Sequence, residues 1–285
     1  MRKTYYYHDE LNDDFAGTKI NTKLIPDDYK YVDRSLFFRA GENVLRFIAY
    51  PIIFVTLKTR YLMRYKNRKT IKKFKKQGYF IFGNHTNCVM DVFNPSLISF
   101  PKKVHIIANP DAMSIKGLAT VIKLLGAVPI PTSFKGMRNY RKGIEELLKL
   151  NRVIAIYPEA HVWPYYTDVR DFGTQSFHYA VDFNAPCFAF TNIYTKRRLK
   201  FIKRPKVVTY IDGPFYPDLS LGKKDAVEKL RNDVYNAMKK RVDENPKYNY
   251  CDYVYVDDPA LVTNTHKKKK KAEGIDKKED IDKAV

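Results

Sequence analysis

Cysteine is scarce in this 285-residue chain, which contains only three. Cys88, Cys187 and Cys251 are odd in number, widely scattered and not placed at the intervals of a metal site. This pattern excludes a disulfide framework and indicates a reducing compartment. Cys88 has no neighbouring base that would activate it, so we expect a small pocket-lining side chain there.

Long apolar runs are also lacking. Residues 1–14 are polar and rich in tyrosine, so we expect no secretory signal there. The uncharged stretch from Phe47 to Leu57 has eleven residues, whereas a membrane-spanning helix needs about 20. The sequence therefore predicts no span.

Acidic residues are outnumbered, with 31 Asp and Glu against 52 Lys and Arg, and the net charge is +21. The C-terminal stretch Lys267 to Val285 has eight lysines and five acids, so most of the excess lies elsewhere. A surplus of this size predicts a negatively charged partner, which is a nucleic acid, an anionic membrane or an acidic small molecule.

The segment 34–76 has the pattern of a membrane-docking element. Apolar residues at helical spacing fall on one side of a predicted helix and charged ones on the other: Phe37, Ala40, Val44 and Ile48 against Arg39, Glu42 and Arg46. Pro51 is predicted to divide this helix in two. Lys58 to Lys76 then contains ten Lys or Arg and no acid, which favours an anionic membrane surface. The alternative is a core helix with a solvated basic end.

Strands and helices alternate from Tyr79 to about Pro214, which predicts an α/β fold with a mostly parallel central sheet flanked by helices. We expect an N-terminal extension at 1–33 made of loops or a clasp, the docking segment at 34–76, an α/β domain at 77–247, and a C-terminal extension at 248–285 whose charged tail is disordered. The predicted strands are Tyr79–Gly83, Val104–Ala108, Val128–Ile130, Val153–Tyr157, Cys187–Thr191 and Val207–Ile211. The predicted helices are Ala112–Leu125, Met137–Leu150, Gly173–Phe183 and Lys223–Val242.

The stretch from Tyr79 to Ile98 holds the best candidate for a catalytic base. Asn84-His85 follows a buried strand, Asp91 comes six residues after the histidine, and Asn94-Pro95-Ser96 reads as a helix start. A histidine at the rim of an α/β sheet lies where such sheets bind ligands, and a positioned base raises a rate by about 10²–10⁴. The alternative is a capped turn with a surface Asp.

Two further candidates follow later strands. Glu159 and His161 lie just after Val153–Tyr157, and the alternative for Glu159 is a solvent-facing turn residue. Lys135 and Arg138 lie at a predicted helix start, where charge and free backbone N–H groups can bind phosphate; the alternative is a solvated helix end. No serine has the surroundings of a nucleophile elbow, so an acyl-enzyme is not favoured.

Four blocks in this order, NH…D at 84–91, GAVPIP at 126–131, YPEA at 157–160 and APCFA at 185–189, resemble those of the glycerolipid acyltransferases, such as the 1-acylglycerol-3-phosphate acyltransferases. The resemblance implies that His85 is the general base for an acceptor hydroxyl that attacks an acyl thioester directly. It also implies that Asp91 orients His85 and that Glu159 helps to position the acceptor.

The same resemblance implies acyl-CoA or an acyl carrier protein as donor, a lysophospholipid or glycerol-phosphate acceptor, and a peripheral position on the cytoplasmic face of an anionic membrane. No metal, no cofactor and no nucleic acid is expected.

The chain departs from the family pattern at three places. Five residues separate His85 from Asp91 instead of four, and on an ideal helix this spacing would put the two on different faces. Thr132 stands where the second block usually ends in Arg, and Ala160-His161-Val162 stands where the third block usually continues Gly-Thr-Arg. Lys135, Arg138 and His161 are the candidates to replace the lost contacts to the acceptor's phosphate.

Two other functions remain open on the sequence. One is a catalytically silent member of the fold that only binds lipid, which a wide gap between His85 and Asp91 would favour. The other is a basic nucleic-acid-binding protein that uses the 22 tyrosines for stacking, although no motif of that class is present.

Overall fold

The structure is a computed structural model that describes residues 2–16, 23–115, 117–198 and 202–263. The strands are β1 Lys3–Tyr7, β2 Arg64–Lys66, β3 Tyr79–Gly83, β4 Val104–Ala108, β5 Ala127–Pro129, β6 Val153–Ile156, β7 Cys187–Thr195, β8 Lys206–Phe215 and β9 Cys251–Tyr255. The α-helices are α1 Leu36–Arg60, α2 Met90–Ser99, α3 Ala119–Leu124, α4 Phe134–Lys149, α5 His178–Asp182 and α6 Lys223–Asp243.

Seven strands form the central sheet in the order β2-β8-β7-β3-β6-β4-β5. The five strands from β7 to β5 are parallel, β8 runs antiparallel to β7, and β2 is parallel to β8. This architecture confirms the predicted α/β fold. All five parallel strands end at the same edge of the sheet, which we call the carboxyl rim.

The apolar residues of β3 alternate between two cores. Phe80 and Phe82 pack with α4, α5 and α6 on one face, whereas Tyr79 and Ile81 pack with Ile98 of α2 on the other. Every residue of β3 is buried, as expected for a central parallel strand with both faces covered.

Helix α1 is continuous through Pro51, which corrects the prediction of two parts. It packs on α2 and on the outer strands through Ile53 and Leu57. Its charged residues Glu42 and Arg46 are buried, whereas the side chain of Phe37 is 93% exposed. The apolar side seen in the sequence therefore faces away from the protein.

Helix α1 also corrects the prediction that no segment is long enough to span a membrane. Among the described residues it is the one helix with the length and composition to cross a bilayer, and only 22% of its apolar window is buried. The uncharged stretch counted from the sequence ended at Arg46. In the structure the Arg46 side chain points toward the protein and pairs with Glu42, with Nε of Arg46 3.3 Å from Oε1 of Glu42.

Several element boundaries differ from the predictions. Helix α2 begins at Met90 rather than near Asn94. The predicted helix 112–125 is divided because Gly117 has a φ of +77°, so that a 3-10 turn at Pro110–Ser114 precedes α3. Likewise, 173–183 forms a 3-10 turn and the short α5.

The first and last strands were not predicted. Strand β1 pairs in parallel with β9, from Lys3 opposite Cys251 to Tyr7 opposite Tyr255. The sequence predicted either loops or a clasp for the N-terminal extension. Its described part forms a clasp, because β1 pairs with β9. The tail predicted to be disordered, Lys267 to Val285, lies outside the described residues.

Candidate active site

The candidate site lies on the carboxyl rim, where β3, β6 and β7 end side by side. His85 follows β3 by two residues and Glu159 follows β6 by three. The last residue of β3, Gly83, has to be a glycine because a Cβ there would overlap the ring of Phe190 on β7. Parallel pairing of β3 with both neighbours therefore brings the first and third sequence blocks together.

His85 and Asp91 are in contact. Nδ1 of His85 lies 2.8 Å from Oδ2 of Asp91, and the backbone N–H groups of Thr86 and Asn87 donate to the same oxygen, also at 2.8 Å. The loop between them closes around the carboxylate at the first turn of α2. His85 to Val89 lie before the helix, so the spacing of faces on an ideal helix does not govern the contact between His85 and Asp91. The extra residue is accommodated in this loop.

The hydrogen bond to Asp91 sets the chemistry of the imidazole. An ionised carboxylate accepts only, so Nδ1 carries the proton and Nε2 keeps its lone pair. Burial raises the pKa of Asp91, while the hydrogen bonds from His85 and the loop N–H groups act in the opposite direction. The His85 side chain remains 20% exposed, so a substrate can approach it.

Tyr157 holds the ring of His85 in place from one face. The two rings are stacked with centroids 4.4 Å apart and planes inclined by 20°. The Tyr157 hydroxyl donates to the backbone oxygen of Asp91. Burial raises the pKa of Tyr157 well above its usual value, so it stays a neutral donor. Tyr157 belongs to the YPEA block, but no role was predicted for its side chain.

Glu159 is buried behind the histidine, so the solvent-facing alternative is wrong. Its Oε2 accepts the N–H of His85 at 3.1 Å and pairs with Nη2 of Arg170 at 3.2 Å. Burial raises the pKa of Glu159, and the Arg170 guanidinium opposes that effect. The Glu159 carboxylate thus holds the His85 loop in place. Its contact with an acceptor stays a prediction.

Arg170 is a second site residue whose role was not predicted from the sequence. It is as buried as Glu159, lies over the ring of Trp163 and donates to the backbone oxygens of Glu10 and His161. No local pattern marks it, because its partner lies eleven positions earlier and a lone arginine normally lies at the surface.

Backbone contacts hold the His85 loop on two further sides. The side chain of Asn84 bonds to the backbone N–H and oxygen of Asn192 on β7. Trp163 N–H donates to the oxygen of His85 at 3.1 Å, and Tyr165 N–H donates to that of Thr86 at 2.8 Å. These contacts leave the loop little freedom, which is what a positioned base requires.

The other predicted residues are not brought to His85. Lys135 and Arg138 are exposed on the first turns of α4, which follows β5, three strands from β3 in the sheet. At about 4.8 Å per strand this places them roughly 14 Å along the same rim. His161 is half-buried next to Glu159. Cys88 is exposed, and its place in the lining of a pocket stays a prediction.

Thr132, which replaces the family's arginine, has a structural contact. Its Oγ1 accepts the N–H of Ile25 at 3.1 Å, and Asp27 bonds to Ser133, the N-cap of α4. The N-terminal extension therefore reaches the start of α4, beside Lys135.

Comparison with known proteins gives two findings. Residues 62–192 match the protein-family model described as Acyltransferase. The fold is similar to that of the 1-acyl-sn-glycerophosphate (LPA) acyltransferase PlsC from Thermotoga maritima, at 20% identity and a TM-score of 0.52, over 75% of this chain and 84% of that chain. No curated protein sequence matches the chain. The family match includes His85, Asp91, Glu159 and Arg170.

Proposed function

We propose that the protein is a membrane-surface O-acyltransferase with His85 as its general base. The premise is the match of residues 62–192 to the family model described as Acyltransferase, together with the resemblance of the sequence blocks to the glycerolipid acyltransferases. The acyl group passes from a thioester donor to a hydroxyl of a lysophospholipid or glycerol-phosphate acceptor. The contact between His85 and Asp91 carries this proposal.

The reaction follows from the state of the imidazole. Nε2 of His85 takes the proton of the acceptor hydroxyl, and the oxygen attacks the carbonyl carbon of the thioester. When the tetrahedral intermediate collapses, the C–S bond breaks and the thiolate leaves with the proton returned by His85. No acyl-enzyme forms, and the step uses only side chains of this chain.

Asp91, Tyr157 and Glu159 act through His85. Asp91 fixes the tautomer and stabilises the imidazolium that forms during the reaction. Tyr157 fixes the ring plane, and Glu159, paired with Arg170, fixes the backbone of the histidine. The wide gap that would favour a silent lipid-binding member is absent, since His85 and Asp91 are 2.8 Å apart.

The exposed side of α1 supports the membrane-surface assignment. Most of its large apolar side chains point outward, whereas the charged side chains of Glu42 and Arg46 are buried against the protein, the reverse of a helix that packs on a soluble core. The outward set is Phe37, Val44, Phe47, Ile48, Ile52, Phe54 and Val55, all at least half exposed. The core-helix alternative leaves this apolar surface unexplained.

We favour a helix lying in the membrane surface over one that crosses it. The inner side of α1 is tied to the domain through Glu42, which pairs with Lys103 and Arg46, and through Arg46, which donates to the oxygen of Val104. A spanning helix would have to leave these contacts. The basic stretch 58–76 follows at once and suits anionic lipid on the cytoplasmic face.

The substrates are proposed from charge. The donor is acyl-CoA or an acyl carrier protein, both acidic. Lys135, Arg138 and His161 lie on or near the carboxyl rim and are the candidates to bind the acceptor's phosphate. The protein from Thermotoga maritima is described as acting on 1-acyl-sn-glycerophosphate, and lysophosphatidate is accordingly the first acceptor to test.

The test is acyl transfer by the purified protein. Labelled acyl-CoA and acyl carrier protein are offered with a panel of lysolipids and glycerol 3-phosphate in anionic vesicles. We expect a product with wild type and a loss of about 10²–10⁴ in rate with His85→Ala. His178→Ala, which removes an exposed histidine on α5, is the matched control. Equal rates for the two variants, or tight binding to nucleic acid in place of vesicles, would refute the proposal.

A further inference from the structure

A second pocket lies at the edge of the sheet opposite the carboxyl rim. It has a volume of about 220 Å³ and is enclosed by the start of α1, the end of α4 and the first residues of β4 and β5. The residues that matter here are Arg34, Arg39, Glu42, His105, Lys123 and Arg152, all of which line it. We call it the amino-edge pocket. It shares no residue with the His85 site.

Positive charge exceeds negative charge around this pocket. Four cationic side chains line it against two carboxylates, those of Asp33 and Glu42. Glu42 is already shared among three cations: it pairs with Lys103, its Oε1 lies 3.3 Å from Arg46, and its Oε2 lies 3.9 Å from Arg152. The Asp33 carboxylate accepts the N–H of Ser35 and also interacts electrostatically with Lys123. The carboxylates therefore leave cationic charge uncompensated.

Arg39 is the clearest uncompensated cation. It is exposed on the first turn of α1 and forms no ion pair within the part of the chain that the structure describes. The first turn of α1 contains no acidic residue, so its free N–H groups add to the positive potential. Arg34, by contrast, is paired with Glu146 at 2.6 Å.

The cations around the pocket also act on one another. Burial and then the neighbouring charges of Arg46 and Arg39 lower the pKa of Arg152, against the pull of Glu42. The pKa of His105 lies well below its usual value, first through burial and then through Arg46, Arg152 and Lys103. His105 is thus neutral, and its Nε2 is shut off from solvent with no hydrogen-bond partner among the described residues.

We propose that the amino-edge pocket is a binding site for a phosphate group, held by Arg39, Arg152 and Lys123 with the His105 imidazole in the wall. Guanidinium groups suit phosphate oxygens because they donate two parallel hydrogen bonds. The volume fits a phosphate with a small substituent and is too small for a whole nucleotide cofactor, which fills about 300–1,000 Å³.

The phosphate can come from a lipid headgroup or from a small soluble molecule. The headgroup is suggested by Phe37, whose exposed ring lies at the same end of α1 as Arg39. Arg39 lies on the other side of α1 from Phe37, so with the apolar side on the bilayer the pocket lies about one helix diameter, roughly 10 Å, from the headgroup layer. The proposal concerns phosphate binding alone and does not depend on acyl transfer. A failure of this proposal can therefore be distinguished from a failure of the proposed acyltransferase function.

The experiment uses the full-length protein in two arms. In the first, the thermal midpoint is followed as inorganic phosphate replaces chloride at constant ionic strength, since a ligand of the folded state raises that midpoint. In the second, cosedimentation is measured with vesicles of phosphatidylcholine, alone and with phosphatidylglycerol. The variants are Arg39→Gln and Arg152→Gln. Lys149→Gln removes an exposed charge at the same edge, and Lys224→Gln removes an exposed charge from α6, outside both the pocket and the basic stretch 58–76.

We expect each arginine variant to weaken phosphate binding about tenfold, which is the usual cost of a lost charged hydrogen bond, and both lysine controls to bind as wild type does. If the source is a lipid, the same tenfold loss appears with phosphatidylglycerol vesicles, and free phosphate has a small effect. Because Arg39 is exposed, its replacement should not disturb folding. The Arg39→Gln variant therefore tests the proposal even if Arg152→Gln does not fold. The proposal is overturned if the arginine variants and the lysine controls behave alike in both arms.

Discussion

The carboxylate of Asp91 accepts three hydrogen bonds at one oxygen, and the one from Nδ1 of His85 is 2.8 Å long. Two of the three donors are backbone N–H groups of the loop that carries the histidine. Asp91 thus both orients the ring and shapes the loop, so a replacement has to be assayed for folding as well as for activity.

Replacement of Asp91 by Asn tests the orienting role. The amide cannot hold the Nδ1–H tautomer as a carboxylate does, so we expect kcat to fall by about 10²–10⁴. KM for the acceptor should change little, because Asp91 is buried and touches no substrate. Steady-state kinetics check this, with the thermal midpoint as a control for folding. A variant with at least half of the wild-type kcat would show that Asp91 is not the partner of the base.

The buried pair of Glu159 and Arg170 should contribute strongly to stability. Arg170→Gln leaves Glu159 buried without its cation, which costs about 3–5 kcal/mol in the free energy of unfolding. Urea denaturation measures this cost. Lys149→Gln, which breaks an exposed pair with Glu145, is the control and should cost less than about 1 kcal/mol. Similar losses in the two variants would contradict a structural role for the pair.

Ala160 has a φ of +61°, in the left-handed region that favours glycine. An L-residue there costs roughly 1–2 kcal/mol, and glycine recovers most of it at some entropic cost. Because Ala160 is exposed, no packing is lost, and we expect Ala160→Gly to be more stable by about 0.5–1 kcal/mol. Ala237→Gly, inside α6, should have the opposite sign. Denaturation midpoints of the two variants measure these changes in stability. A less stable Ala160→Gly protein would argue against this backbone conformation.

The outward side of α1 should determine vesicle binding. Phe47 is 82% exposed, so Phe47→Asp should not unfold the protein but should remove about 1.5–3 kcal/mol of burial in the bilayer. That corresponds to roughly a tenfold or greater fall in partitioning into anionic vesicles. Leu219→Asp replaces an exposed apolar residue away from α1 and is the control. Equal partitioning of the two would place the membrane contact elsewhere.

Tyr29 and Tyr31 should make the protein sensitive to alkali. Their hydroxyls are buried without a hydrogen-bond partner in the described chain, and burial raises the pKa of each to about 12. Between pH 10 and 12 the unfolded chain loses these protons first, so stability falls as pH rises through this range.

Replacement of both tyrosines by Phe should leave stability at pH 7 unchanged or slightly higher and should reduce the alkaline loss. Denaturant midpoints at pH 8 and pH 11 measure the difference from wild type. Tyr216→Phe, at an exposed position, should retain the full loss. An identical alkaline loss in the double variant would show that other groups cause it.

The sequence predicted the sheet and the location of the candidate base, because both depend on local pattern. The apolar run of β3, followed at once by Asn84-His85, is enough to place a histidine at the carboxyl rim. The contact of His85 with Asp91 depends on the conformation of the loop between them. The backbone hydrogen bonds that fix this loop cannot be inferred from residue spacing.

Other features depend on residues far apart in the chain. The inward side of α1 is the charged one because Glu42 meets Lys103, 61 positions later, and amphipathic pattern alone cannot tell which side meets the protein. Arg170 is identified only by its contact with Glu159. Strands β1 and β9 were missed because each pairs with the opposite end of the chain.

The pairing of β1 with β9 also bears on how the protein is made on the ribosome. The N-terminal segment holds Arg170 through Glu10 and Trp163 through Asp13, yet its own strand has no partner until residue 251 has been translated. A nascent chain can form β3 and its neighbours early. The packing behind His85 is then completed only after β9 has been translated and has paired with β1.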